Sequence, residues 1–138
     1  MITSTIRALA LSSLIATLTP LGLMAQEPAR FVVPFAFTVG RQSFSPGTYR
    51  VKVVMPQVLA LGSTTTGSNI FIPTYPDTPS KVNSAATLTF RRYGSRYFLA
   101  NMADSLHGYK MPISVQEKEL IATRNSAVPL DILANARK

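Results

Sequence analysis

The sequence predicts an all-β domain, or a β-rich α+β one, built as a small antiparallel barrel or sandwich of about six strands with one C-terminal helix. Three observations predict it. Phe31, Val33, Phe35, Phe37 and Val39 are apolar at every second position, the period of a strand with one buried face. The stretch "TFRRYGSRYFL" at 89–99 is two strand-forming runs joined by Gly94-Ser95. Ser114 followed by Glu117 has the spacing of a helix capping box.

The first predicted strand covers residues 31–39, with Pro34 placing it at a sheet edge or in a bulge, and Gly40 ends it. In "RQSFSPGTYRVKVV", Pro46-Gly47 suits a type II turn, and Tyr49, Val51 and Val53 alternate with Arg50 and Lys52 to give a second strand with a basic outer face. These two strands are expected to pair antiparallel across a loop of about eight residues, longer than the commonest hairpin connections. Phe44, within that loop, is expected to fold back onto the core.

A third strand is expected at 58–61, ended by "GSTTTG", and a fourth at 69–75. Residues 76–85, "PDTPSKVNSA", read as a mobile loop, either a linker or a binding element. A hairpin follows, with strands at 87–93 and 96–103 and glycine first in the turn, as type II′ requires. A helix from about Val115 to Arg124 comes next. The stretch 125–138, "NSAVPLDILANARK", is a C-terminal extension, expected to form a short helix with Pro129 in its first turn or to be disordered.

Residues 1–25 carry one early charge, Arg7, then an apolar run to Leu18 and a small residue, Ala25, before Gln26. This is the layout of a secretory signal peptide cleaved after Ala25; the alternative is an N-terminal anchor, against which Ser12, Ser13, Thr17, Thr19 and Pro20 interrupt the apolar run. Residues 26–124 then form a single β-rich domain, and the product is expected to be secreted or periplasmic. With no cysteine the chain has no disulfides and no residue to carry a lipid anchor, and with His107 as its one histidine it lacks the usual zinc ligand sets.

The chain is basic, with 14 Lys+Arg against 6 Asp+Glu and a formal net charge of +8. Outside the cytoplasm such a charge draws a protein to anionic envelope polymers or glycans, and nucleic acid becomes the poorer partner. Chemistry finds little support. Glu117 and Glu119 point to different faces of a helix, and Glu117 reads as the capping partner of Ser114. Asp77 and Asp104 lie in loops, Ser114 and Lys118 read as a cap and a solvated lysine, and His107 has no evident partner. Neither a nucleophile elbow nor a phosphate-binding loop is present. The expectation is a protein with no catalytic, cofactor-binding or metal residues.

What remains is the hairpin. Turning at Gly94-Ser95 sets Tyr93 opposite Arg96, Arg92 opposite Tyr97, Arg91 opposite Phe98 and Phe90 opposite Leu99. One face then holds Leu88, Phe90, Arg92, Tyr97 and Leu99, and the other holds Thr87, Thr89, Arg91, Tyr93, Arg96, Phe98 and Met102. Arginine over aromatic rings can be structural, each cation-π contact contributing about 0.5 to 1 kcal/mol. It can also be a platform on which rings stack against a ligand while arginines hold its anions. The candidate ligand-binding residues are therefore Arg91, Arg92, Tyr93, Arg96 and Tyr97. A rival reading is an envelope structural or assembly protein that pairs with another chain through its exposed first strand.

"VPFAFTVGRQSFSPGTYRV" at 33–51, "LTFRRYGSRYFLANM" at 88–102 and the helix "SVQEKEL" resemble an uncharacterised family of small secreted acidobacterial-type proteins. Its pattern is P-F-x-F-x-V-G, then P-x-G-x-Y, then F-x-R-Y-G-x-x-Y-F-L and a short helix. The resemblance implies export and a small β-rich domain, assigns no catalytic residue, and ends near Arg124.

Overall fold

A computed structural model describes residues 27–79, 85–123 and 126–133. The signal-peptide expectation for 1–25 and the ends of the predicted loop and tail, 80–84 and 134–138, lie outside the described residues. Two sheets pack face to face as an open sandwich rather than a closed barrel.

The first sheet is antiparallel, in the order β1 (Ala29–Val33), β4 (Gly47–Met55), β5 (Val58–Ser63), β6 (Asn69–Pro73). The second runs β11 (Val128–Leu133), β8 (Thr87–Tyr93), β9 (Arg96–Ala103), β10 (Gly108–Lys110), β7 (Tyr75–Asp77). Onto it β2 (Phe37–Val39) adds, parallel to β9, with β3 (Gln42–Phe44) paired to β2. The helix α1 spans Val115–Ala122. The core lies between the sheets, with Phe31, Val33, Tyr49, Val51, Leu59 and Leu61 facing Phe37, Leu88, Phe90, Leu99 and Met102.

Among the described residues there are eleven strands where about six are expected, because the chain changes sheets inside what reads as one strand. Residues 31–39 divide at Pro34 into β1 and β2, in different sheets. Pro34 has no N–H for a ladder, so pairing stops there and the chain crosses the sandwich. The 69–75 run divides in the same way at Thr74. The expected eight-residue loop is instead a tight β2–β3 hairpin at Gly40-Arg41, with Gly40 at φ +60°. Phe44 stacks on Phe37 and packs against the core, as expected. No type II turn forms at Pro46-Gly47: Gly47 is the first residue of β4 and pairs with Val33 instead of adopting positive φ. The pairing of Phe31 with Tyr49 gives the antiparallel partnership of the first two predicted strands.

The predicted hairpin forms as β8 and β9, with Gly94 at φ +59° and every pair from Tyr93–Arg96 to Phe90–Leu99 in the expected register. Beyond Leu99 the register shifts by one, Thr89 pairing with Asn101. Ala100 is thus the extra residue of a bulge, and Met102 pairs with Leu88 and enters the core rather than sharing the face of Thr87. Nor do the described residues of the tail form a helix. Residues 128–133 form β11, which pairs along all of its length with the free edge of β8, where Pro129 is tolerated because the strand is itself an edge.

A hairpin–helix clamp as the candidate functional site

Helix α1 begins at Ser114, whose hydroxyl accepts from the Glu117 backbone N–H at 3.1 Å. Only half of the expected capping box is made. The Glu117 side chain turns inward across the hairpin, and the residue is 1% exposed. Its carboxylate receives a bidentate contact from Arg91, Nε to Oε1 and Nη2 to Oε2, the latter at 3.1 Å. The Tyr93 hydroxyl donates to Oε1 at 2.9 Å. Burial raises the Tyr93 phenol above its ordinary pKa, and its hydrogen bond to the Glu117 carboxylate raises it further.

Alternation dictates this geometry. Arg91 and Tyr93, two apart on one strand, share a face and reach the same carboxylate. Phe98 lies on that face too, its ring edge-on to Tyr93 at 5.8 Å between centroids. Arg96 spreads its guanidinium 5.4 Å from the Phe98 centroid and donates to Gln116 Oε1 at 3.1 Å. The arginine–aromatic contact therefore runs along one strand, not across the turn.

The other two candidate residues lie on the opposite face. Tyr97 stacks on Phe35, 3.9 Å between centroids and 16° from parallel, and is half-buried. Arg92 is exposed and donates from Nε to the Gly94 carbonyl at 2.8 Å. The fold thus gathers Arg91, Tyr93 and Arg96 beneath α1 and separates them from Arg92 and Tyr97. Sequence reasoning missed Glu117 as the anchor. The available signal was that Arg91 and Tyr93, on a face next to a buried Phe98, need an acceptor.

Beside this clamp a cleft of about 320 Å³ opens between β2 and β6, lined by Val39, Ile70, Ile72, Phe98 and Met111 with Arg41 at its rim. Glu117 is the carboxylate in its lining, and its oxygens already hold three donors. Elsewhere, Asp104 closes a turn by accepting the Leu106 and His107 backbone N–H groups at 2.8 and 2.6 Å, with His107 Nδ1 3.5 Å away. Asp77 accepts from Asn101 Nδ2 at 3.0 Å. Among the described residues no group of acidic and histidine side chains could hold a metal ion, and no helix is long and apolar enough to cross a membrane.

No protein-family model, curated protein or solved structure matches the chain. Fold and site define its class without them: a cysteine-free, basic β sandwich whose hairpin is clamped to a short helix through one buried carboxylate.

Proposed function

We propose that the chain is an exported, non-enzymatic β domain that binds an anionic or glycan partner in the cell envelope. One observation carries this reading. Of the three hairpin arginines, only Arg91 is neutralised by a carboxylate. Arg92 and Arg96 stay exposed on neutral acceptors, the Gly94 carbonyl and the Gln116 amide, so their positive charges remain available to a partner. The signal-peptide layout of residues 1–25 supports an envelope setting. The test is retention on immobilised lipopolysaccharide and acidic polysaccharide, against a neutral glucan. Wild-type retention is expected on an anionic resin and reduced retention for Arg92→Ala/Arg96→Ala. Equal retention of the two proteins rejects the hairpin tip, and no wild-type retention rejects the reading.

A second reading has its own observation: β1 is an edge of the four-stranded sheet and carries exposed Val32, so another chain can add there. In that case sedimentation shows concentration-dependent association, lost on altering residues 30–39.

A further inference from the structure

We infer that the outer face of the β1-β4-β5-β6 sheet is a docking surface for a carboxylate-bearing polysaccharide chain. This rests on the proposed anionic-glycan function and gives the ring contact a different location, since Tyr93 is buried against Glu117 and the Tyr97 ring is stacked on Phe35.

The register places Arg30 directly opposite Arg50, both exposed and both on the face turned away from the core. Like charges directly opposed on a sheet are destabilising. The strands themselves supply no counter-charge: no Asp or Glu occurs in β1, β4, β5 or β6, and the nearest acidic residue along the chain, Glu27, lies just before the start of β1. Exposed Lys52, two residues along β4, extends the same basic row.

Following each row across the sheet gives the rest of the surface. Arg30 and Arg50 continue to Gly62 and Asn69, and Lys52 continues to Ala60 and Phe71. The central strand thus offers only a methyl group and a glycine. The Asn69 side chain fills the space over that glycine with its amide oxygen toward it, so close that a Cβ on Gly62 would fall 2.1 Å from Asn69 Oδ1. At the far edge Phe71 is 69% exposed. With strands about 4.8 Å apart, the floor between the β4 cations and Phe71 is about 10 Å wide.

These parts fit one occupant through charge complementarity. Guanidinium forks match planar carboxylates in two parallel hydrogen bonds. An exposed ring at the opposite edge can stack on the apolar face of a sugar, and the amide over the floor can bond hydroxyls. Cations spread along two strands beside a flat, open floor suit an extended acidic polymer rather than one compact phosphorylated headgroup.

The experiment measures binding of the purified protein to polygalacturonate, with dextran as neutral control and lipopolysaccharide-containing vesicles as the alternative partner, alongside thermal melts. Arg30→Thr/Arg50→Thr is expected to weaken polygalacturonate binding at least tenfold while melting no lower than wild type. Phe71→Thr, which leaves the charge unchanged, is expected to weaken it several-fold. The charge-matched control Arg41→Thr/Lys118→Thr should keep most of the affinity. Unchanged binding by Arg30→Thr/Arg50→Thr overturns the sheet face while leaving the anionic-partner reading standing if Arg92→Ala/Arg96→Ala loses retention. Loss of binding with a lower melting temperature overturns it as well, because the arginines then serve the fold. Binding to the vesicles without binding to polygalacturonate overturns the choice of occupant, and no binding to any anionic probe overturns the function itself.

Discussion

Replacing Glu117 by glutamine isolates the interaction that fixes α1 to the hairpin. The carboxylate holds three donors, two from Arg91 and one from Tyr93. Glutamine keeps one carbonyl acceptor but turns an amide donor toward a guanidinium that cannot accept it, and leaves the Arg91 charge uncompensated. Breaking a buried ion pair from one side costs about 3 to 5 kcal/mol. The lower end applies here, because the Arg91 side chain is 18% exposed and water can reach part of it. Glu117→Gln is therefore expected to lose about 3 kcal/mol, lowering Tm by about 12 °C for a domain of this size. Circular dichroism melts and urea unfolding measure it. The apolar replacement Arg91→Met/Tyr93→Phe/Glu117→Leu removes donors and acceptor together and should be more stable than Glu117→Gln, since an excised buried pair often costs little. A Glu117→Gln melt within about 2 °C of wild type, corresponding to well under 1 kcal/mol, refutes the clamp.

Tyr93 gives a pH signature. Burial raises its phenol in the folded state above the ordinary value of 10.0, so the unfolded chain loses this proton first and stability should fall as pH climbs past that value toward the folded pKa. Tyr93→Phe should flatten part of that decline in pH-dependent urea melts, with Tyr49 and Tyr109, also raised, supplying the remainder. On β11, half-buried Ile132 packs against the core whereas Val128 is exposed. Ile132→Ala should cost about 1 to 2 kcal/mol, below the range for full burial, and Val128→Thr within about 0.5 kcal/mol of zero, both read by urea unfolding. At the hairpin turn Gly94 sits at φ +59° with open space where a Cβ would go. Gly94→Ala should therefore cost about 1 kcal/mol from backbone strain alone, seen as a lower urea midpoint at unchanged m-value.

Local features were readable from the chain because their causes are local. Gly94-Ser95 determines its own turn and, through it, four cross-strand pairs. Reading failed where distant elements decide. The alternation through Phe31, Val33, Phe37 and Val39 continues unbroken across the change of sheet at Pro34, since the inner faces of both sheets look onto the same core. A period-two pattern therefore cannot reveal which sheet a residue joins. Met102 left its expected face because a bulge at Ala100 reverses the alternation, which strand composition does not encode. The β11 segment is mostly exposed, so it has little burial pattern to read, and its ladder to β8 depends on an edge formed by residues about forty positions earlier.

The same contrast bears on how the cations should be sorted. In "RRYGSR" three arginines crowd six positions, yet one is neutralised by Glu117 and another rests on Phe98 and Gln116. Arg30 and Arg50 stand twenty positions apart; alternation marks Arg50 and Lys52 as a basic face, but only the β1–β4 register brings Arg30 opposite Arg50, on strands that carry no Asp or Glu. Density along the chain therefore does not say which charges are neutralised: Arg91 faces a carboxylate, whereas Arg92 and Arg96 stay exposed on neutral acceptors. Pairing register, visible only after the sheets are assembled, shows which positive charges stand directly opposite one another without an acidic residue on their own strands.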